Sequence, residues 1–396
     1  MTKTRAGSSP RIPLLIRALA LTGLLGAASA SGMMEELSDE GMAAVSGQSL
    51  FSAISIAPGV AGATGGANPN DKVGFYRFGL EGSLAINANI DKLRLGCDGT
   101  SAFTGLGVGT CDISIDDVRL HGVGTDSVAN SNSGLPTDFL LNQPFFEFAI
   151  KNPDNPATRQ IVGMRFGAAS ALGAISIGEN PDVENVNDDS GLNSLSGDLV
   201  LNIRNAKLNN LYACVTALCL VPVGPLQAFI DESFSQTVSV KRASKLDDLG
   251  PLTAVVSGVF GINADILNGL RITNAHLIDQ PLDNIHRIDI KSPCPTPVTD
   301  ACLASPTPTK DFYISMQGQD ISWQKPSTGN FDGILAQKGW WLSVPQAVFQ
   351  DLVVTDHIEV TLAEVLGGLV GRRVELSGVD LGQRPTDNCW GNYKFC

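Results

Sequence analysis

The sequence predicts a mainly β protein, with an elongated antiparallel β-sandwich or β-roll-like architecture, short helices and local disulfides. First, apolar side chains alternate with polar or small ones over many short segments, which is typical of strands with one buried face. Second, the chain contains 42 glycines and 21 prolines, which favours frequent turns. Third, its eight cysteines fall into close pairs.

Period-two alternation predicts strands from residue 72 onward, where Phe75 and Arg77 alternate with Tyr76. Further strands are predicted at 84–90, 112–120, 145–150, 172–177, 199–208, 260–277, 285–290, 312–323, 357–362 and 374–381. Two segments with proline near their starts, 225–234 and 345–353, are predicted to form short helices.

The cysteines indicate how the strands are held together. The local pairs are Cys97 with Cys111, Cys214 with Cys219, Cys294 with Cys302, and Cys389 with Cys396. An even number of closely spaced cysteines in an oxidising compartment predicts four short-range disulfides. Metal binding is the alternative, but it requires Cys-x-x-Cys or cysteine–histidine clusters, which the sequence lacks.

Residues 1–30 are predicted to be an export signal. Four basic residues and no acidic one accompany a short apolar stretch, 18–26, which is too short to span a membrane stably. Small residues at 28–30 fit a cleavage site. An uncleaved anchor is the alternative. The mature chain is predicted to have no transmembrane helix, and to reside at the cell surface, outside the cell, at the outer membrane or in the periplasm.

The mature chain is predicted to have an acidic leader-like segment followed by two β-rich regions. Residues 31–48 are interpreted either as a recognition tag for export or assembly, or as a frayed N-terminal turn. Weak similarity between the segments 86–90 and 262–266 indicates two related halves. The regions proposed are 49–240 and 253–396, joined by a polar linker at 241–252.

The charge of the chain narrows the classes of partner. The formal net charge is −13, and removal of residues 1–30 takes away four basic residues and leaves −17. An acidic protein repels phosphate backbones, so nucleic-acid binding is not expected. The candidate calcium ligands lie in one acidic run and are Asp182, Glu184, Asp188 and Asp189. The run lacks the EF-hand arrangement, so a solvated loop is the favoured interpretation.

Motifs for catalysis are sparse. The sequence has no Gly-x-Ser-x-Gly elbow, and its four histidines, at 121, 276, 286 and 357, each lie near an aspartate. On strands such neighbours are more often structural contacts than catalytic pairs. The glycine-rich segment 105–110 lacks the Lys-Ser/Thr of a phosphate-binding loop and is interpreted as a hairpin tip. We therefore predict no enzyme activity, cofactor or metal.

Aromatic residues are few, with four tryptophans and four tyrosines. The adjacent pair Trp340 and Trp341 is interpreted as a core anchor, and an exposed ligand patch is the alternative. The phenylalanines that follow Pro144 are expected to enter or edge the core, and they are Phe145, Phe146 and Phe148.

Several segments carry a resemblance to a known family. They are 37–48, 74–81, 86–97, 111–117 and 144–153. Together they resemble the Fil-type pilus-system proteins of Acinetobacter and related gammaproteobacteria, over about a third of the chain. The resemblance implies a surface or pilus-associated, non-enzymatic role, and it carries over no catalytic residue. The chain differs from pilins proper, because it lacks the type IV prepilin start and is longer than one immunoglobulin-like domain.

Three classes of function follow from these observations. The first is an exported structural or adhesive surface protein that belongs to a filament system, with other envelope proteins or its own copies as partners and with strand addition as the means of assembly. The second is a periplasmic or outer-membrane-associated module that binds a lipid or another hydrophobic ligand. The third, an exported hydrolase, has no recognisable site.

Overall fold

Strands dominate the computed structural model of the chain. It describes residues 50–60, 67–97, 111–127, 130–131, 137–178, 191–204, 206–214, 222–230, 234–257, 270–295, 299–331, 333–354, 358–377, 379 and 381–383. Residues Gln48–Cys396 group as one unit, distinct from Met1–Gly47. The predicted signal and leader-like segment therefore lie outside the described residues.

The prediction of a mainly β fold is confirmed. The strands are β1 Phe51–Ile56, β2 Val73–Leu80, β3 Ser83–Ile86, β4 Ala88–Leu95, β5 Ile113–His121, β6 Thr125–Ser127, β7 Asn130–Ser131, β8 Phe139–Lys151, β9 Gln160–Ser176, β10 Leu192–Arg204, β11 Lys207–Cys214, β12 Pro222–Ile230, β13 Ser235–Ala243, β14 Lys245–Ser257, β15 Leu270–Pro281, β16 Arg287–Ile290, β17 Thr309–Gln317, β18 Ile321–Ser322, β19 Leu335–Ala336, β20 Gly339–Gln350, β21 Val353–Val354, β22 Ile358–Thr361 and β23 Val374–Ser377. In the described part of the chain two short helices accompany them, α1 (Asp300–Ala304) and α2 (Leu362–Leu369). Neither is long and apolar enough to cross a membrane.

Most strands belong to two sheets. The larger has twelve strands in the order β1-β2-β8-β9-β16-β20-β10-β5-β4, with β3 on β8, β13 on β10, and β17 on both β9 and β20. The smaller has seven strands in the order β21-β11-β12-β14-β15-β23, with β22 on β11. Most pairs are antiparallel, as predicted, but β10 runs parallel to β20, β15 runs parallel to β23, and β11 runs parallel to both β21 and β22. The sheets are therefore mixed.

The main core lies between the two sheets. Ile113 and Leu199 of the larger sheet belong to the same buried cluster as Leu252 and Leu277 of the smaller one. A shared core between two sheets is the arrangement of a sandwich. A second, smaller cluster lies around Phe75, where side chains from the segment between β17 and β20 fold back onto the larger sheet.

Both predicted helices are wrong, because the residues form strands. Pro225 lies in β12 and Pro345 lies in β20. In each case the register shifts by one residue around the proline, between Val223 and Leu226 in β12 and between Val344 and Ala347 in β20. A β-bulge leaves one residue out of the hydrogen-bond ladder, so it accommodates a proline that has no N–H to donate.

The predicted linker, 241–252, lies instead within strands β13 and β14. Two of its three basic residues are held by one buried carboxylate, because Asp112 accepts hydrogen bonds from Lys241 Nζ at 2.8 Å and from Arg242 Nε at 2.9 Å. Its leucines enter the main core, with Leu246 and Leu252 buried. The run is therefore part of the sandwich and does not separate two halves.

Two of the four predicted disulfides are confirmed. Cys97 bonds to Cys111 and closes the loop between β4 and β5, and Cys294 bonds to Cys302 beside α1. The pair Cys389 and Cys396 lies outside the described residues, as does Cys219, the predicted partner of Cys214.

Candidate functional site

One surface of the larger sheet carries apolar side chains in two cross-strand rows. Phe78 on β2 is paired with Phe146 on β8, which is paired with Phe166 on β9, and Ile314 on β17 follows. The neighbouring row is Tyr76, Phe148, Met164 and Met316. Directly paired residues of neighbouring strands point to the same side of a sheet. We call these eight residues the open face.

Three side chains of the open face are exposed, two on β2 and β8 and one on β17. Phe78 is 59% exposed, Phe146 is 52% exposed and Met316 is 42% exposed. A phenylalanine presents roughly 200 Å² of surface, so Phe78 and Phe146 alone show about 200 Å² of apolar area. The rings of Phe146 and Phe166 lie 4.9 Å apart, which holds the row together. Contiguous apolar patches larger than a few hundred Å² mark interaction surfaces, and the exposed part of the open face lies at the lower end of that range.

The open face continues the main core. Phe166 and Ile314 are partly buried and pack against the core cluster between the sheets, whereas Phe78 and Phe146, in the same row, are exposed. The row therefore runs from the interior of the sandwich to the surface. The chain keeps core-type side chains on β2 and β8 where no described part of it covers them.

The opposite side of the same strands is closed by buried charges. Glu147 on β8 pairs with Arg77 at 3.2 Å and accepts a hydrogen bond of 2.5 Å from Arg165 Nε. The Arg165 guanidinium lies 4.9 Å from the Trp323 ring centre and donates to the Gln324 carbonyl at 2.6 Å. Burial lowers the pKa of Arg77, and the nearby Glu147 carboxylate opposes that shift. The buried ion pairs, together with the Trp323 ring packed on Arg165, therefore identify the buried side of the sheet.

The tryptophan pair is divided between the two sides of β20. Trp341 is fully buried in the smaller cluster, and its Nε1 donates to Asp198 Oδ1 at 2.6 Å. Burial raises the pKa of Asp198, against the hydrogen bonds from Trp341 and Ser343. Trp340 is half-buried and is paired with Met316 beside the open face. Trp341 is therefore a core anchor, and Trp340 borders the apolar surface.

Strand β1 lies at one end of the larger sheet, next to the open face. Among the described residues it pairs with β2 alone, and its sequence, Phe-Ser-Ala-Ile-Ser-Ile, has neither charge nor proline. Ala53 is paired with Phe78, so the row of the open face extends to this edge. The strand at the other end, β4, exposes Asp91, Lys92 and Arg94. Charges on edge strands oppose pairing with other chains, and β1 lacks them.

The described histidines contact residues distant in sequence. His121 Nε2 lies 2.5 Å from Ser176 Oγ, and His286 Nδ1 lies 3.3 Å from the Ile177 carbonyl oxygen. His276 Nδ1 lies 2.7 Å from Asp248 Oδ1, while its Nε2 lies 2.9 Å from Asn274 Oδ1. Both nitrogens of His276 thus contact oxygen atoms, one on β14 and one on β15. His357 lies outside the described residues.

The structure does not test the other sequence candidates. The calcium candidates Asp182, Glu184, Asp188 and Asp189 and the glycine-rich segment 105–110 lie outside the described residues. Within the described part of the chain, no three histidine, cysteine, aspartate or glutamate side chains are placed to hold a metal ion.

The main core is well filled in the region between β10, β14 and β20. Two cavities there have volumes of about 20 and 10 Å³. A volume of this size holds about one water molecule. Neither cavity can take a lipid chain.

Sequence reasoning missed the open face. It expected Phe145, Phe146 and Phe148 to enter or edge the core, but only Phe145 is buried, Phe148 is half-buried and Phe146 is exposed. In β8 both sets of alternate positions carry apolar residues, with Phe145 in one set and Phe146 and Phe148 in the other. The alternation alone therefore cannot show which set is buried. Comparison with protein-family models, curated proteins and solved structures found no match to the chain.

Proposed function

We propose that the chain is an exported structural or adhesive protein of the bacterial surface, associated with a pilus or filament system, and that it has no enzymatic role. The observation that carries this proposal is the open face. It places exposed Phe78, Phe146 and Met316 on one side of a sheet whose other side is closed by buried charges. An apolar surface on a rigid sheet is suited to contact with another macromolecule.

The shape of the open face supports a macromolecular partner. Its rows cross β2, β8, β9 and β17, and neighbouring strands lie about 4.8 Å apart, so the face extends over roughly 15 Å across the sheet. Side chains on a sheet form a broad surface, whereas ligands of low molecular weight are usually held in concave pockets. The two confirmed disulfides suit a protein that works in an oxidising compartment.

A periplasmic or outer-membrane-associated module for a hydrophobic ligand is the second candidate. The open face itself favours it, because aromatic and methionine side chains bind apolar molecules of many shapes. The small cavities in the core, of about 20 and 10 Å³, count against a ligand enclosed between the sheets. A ligand of this module would have to lie on the surface.

The test is immunogold electron microscopy of intact cells, combined with an adhesion assay. We expect gold on filaments or on the cell exterior for the native chain. The variant Phe78→Thr/Phe146→Thr should be exported in equal amount but should lose roughly tenfold in adhesion or filament incorporation, because its apolar contact area is removed. Threonine preserves the strand propensity of both positions.

The matched control is Val370→Thr, which changes an apolar residue that is 75% exposed beyond the end of α2. It should behave as the native chain does. Label that is seen only after permeabilisation would contradict the surface proposal and favour the ligand-binding module. Normal adhesion by the double variant would show that the open face is not the contact surface.

A further inference from the structure

We propose that β1 is the site at which two copies of this chain pair, by antiparallel addition of β1 to β1 of the second copy about a twofold axis. This inference rests on the proposed function, because it names a second copy of the chain as the partner in assembly and β1 as the contact. It uses the edge of the larger sheet, which adjoins the open face but is distinct from it.

The chemistry of β1 specifies an extended strand as its occupant. An edge strand presents unpaired backbone N–H and C=O groups, and another strand can satisfy them in a continuous ladder. Within the described part of the chain, the strand partner of β1 is β2. Ala53, Ile54 and Ser55 are exposed in the middle of the strand. No charge, proline or bulge in β1 opposes pairing.

The contrast between the two ends of the sheet points to β1 rather than β4. Three charged residues in eight, Asp91, Lys92 and Arg94, are exposed on β4. If β4 paired with itself, these charges would face a second copy of the same set. Strand β1 meets its own copy with alanine, isoleucine and serine, so self-pairing brings no like charges together.

Twofold symmetry joins the two sheets with their faces matched. An antiparallel strand pair about an axis normal to the sheet keeps equivalent residues on the same side. Because Ala53 is paired with Phe78, the open faces of both copies would lie on one side of a continuous sheet. The dimer would therefore present one apolar surface of double width.

A cysteine scan of purified full-length chain tests the proposal. Ser52, Ala53, Ile54 and Ser55 are each replaced by cysteine, and disulfide-linked dimer is measured under mild oxidation. The axis passes close to one residue, which is then near its own copy, while each step along the strand separates the two copies by about 7 Å more. We expect one position to cross-link strongly and positions two residues away to cross-link at least tenfold less.

The matched control is Ser239→Cys on β13, an exposed serine on another strand of the same sheet. Equal cross-linking at this control and along β1 would mean random collision and would overturn the proposal. Equal cross-linking at all four β1 positions would indicate parallel stacking, which also overturns it. Absence of cross-linking throughout, with a monomeric mass by light scattering, would show that β1 does not bind its own copy.

A second variant tests the contact without added cysteines. Ala53→Lys places one ammonium group on the β1 strand of each copy and should weaken dimerisation at least tenfold, whereas Ser239→Lys should leave it unchanged. These measurements use purified chain, so they are independent of cellular location. If they fail while Phe78→Thr/Phe146→Thr still abolishes adhesion, self-pairing is wrong and the proposed function stands.

Discussion

Individual buried charges mark the side of the larger sheet that is buried. Arg77, Glu147 and Arg165 lie on three neighbouring strands at directly paired positions, and together they form a cross-strand ionic row. Charged groups of this kind are tolerated in the interior only when they are paired and hydrogen-bonded. Phe78 and Phe146, one position further along the same strands, consequently point to the opposite side, where they form the open face.

A buried histidine should make stability depend on pH. His121 is almost fully buried, and desolvation, with the neighbouring Arg287, lowers its pKa to about 4. In the unfolded chain the pKa of histidine is about 6.5. The unfolded state therefore binds a proton between these two values while the folded state does not. Stability from this residue is complete above about pH 6.5 and falls toward pH 4, by up to about 3 kcal/mol.

The variant His121→Gln isolates this effect, because glutamine is polar but does not titrate. Urea unfolding should show that the native chain loses up to about 3 kcal/mol more than the variant between about pH 7 and pH 4. The comparison between the two proteins removes the contribution of the carboxylates, which both share. Identical slopes of stability against pH for the two proteins would mean that His121 is protonated in the folded state.

At the scale of elements, the sequence predicted strand positions well and strand interruptions poorly. Alternation correctly placed β5, β16 and β17, and in β17 buried residues do alternate with less buried ones, as expected for a strand with one side in a core. Pro225 and Pro345 were interpreted as helix starts, yet both lie at bulges within strands. A bulge is defined by its register with a partner distant in sequence, so local pattern gives no sign of it.

The open face could be predicted only in part, because its exposure depends on contacts with residues distant in sequence. The sequence gives two apolar sets on β2, represented by Phe75 and Phe78, and both are equally compatible with a core. Which set is covered depends on Trp323, which lies far along the chain and packs 5.5 Å from the Phe75 ring. The edge position of β1 likewise depends on strand order in the sheet, and composition alone shows only that the segment is uncharged.

The hairpin of β4 and β5 should depend on its disulfide. Cys97 and Cys111 are 14 residues apart. A disulfide that closes a loop of this size lowers the entropy of the unfolded chain, which raises the free energy of unfolding by about 3 kcal/mol. Next to it, hydrogen bonds from Lys241, Arg242 and the Trp340 amide lower the pKa of Asp112 although burial opposes the shift. Ionised Asp112 thus joins this hairpin to β13 and β20.

Replacing Cys97 and Cys111 by serine should lower the free energy of unfolding by about 3 kcal/mol, measured by urea titration. The control is Cys294→Ser/Cys302→Ser, whose partners are 8 residues apart and whose loss should be smaller. A larger loss for the control than for Cys97→Ser/Cys111→Ser would contradict the loop-entropy explanation.

At the scale of the whole molecule, charge and apolar surface act in opposite directions. The chain carries a formal net charge of −13, or −17 without residues 1–30, so two copies repel each other over long distances. The β1 strand and the exposed residues of the open face next to it are uncharged. Association must therefore overcome a general repulsion through a local contact that carries no charge of its own.

This balance predicts that salt strengthens dimerisation. The Debye length falls from about 30 Å at 0.01 M salt to about 8 Å at 0.15 M, so sodium chloride screens the repulsion between copies but leaves the backbone ladder of β1 intact. The dissociation constant, measured by analytical ultracentrifugation, should fall roughly fivefold over that range. Glu81 lies beside β1, since its amide donates to the Leu50 carbonyl at 2.9 Å, and Glu81→Gln should reduce the salt dependence. Association that weakens with added salt would instead mean that opposite charges hold the copies together, which an uncharged β1 contact cannot provide.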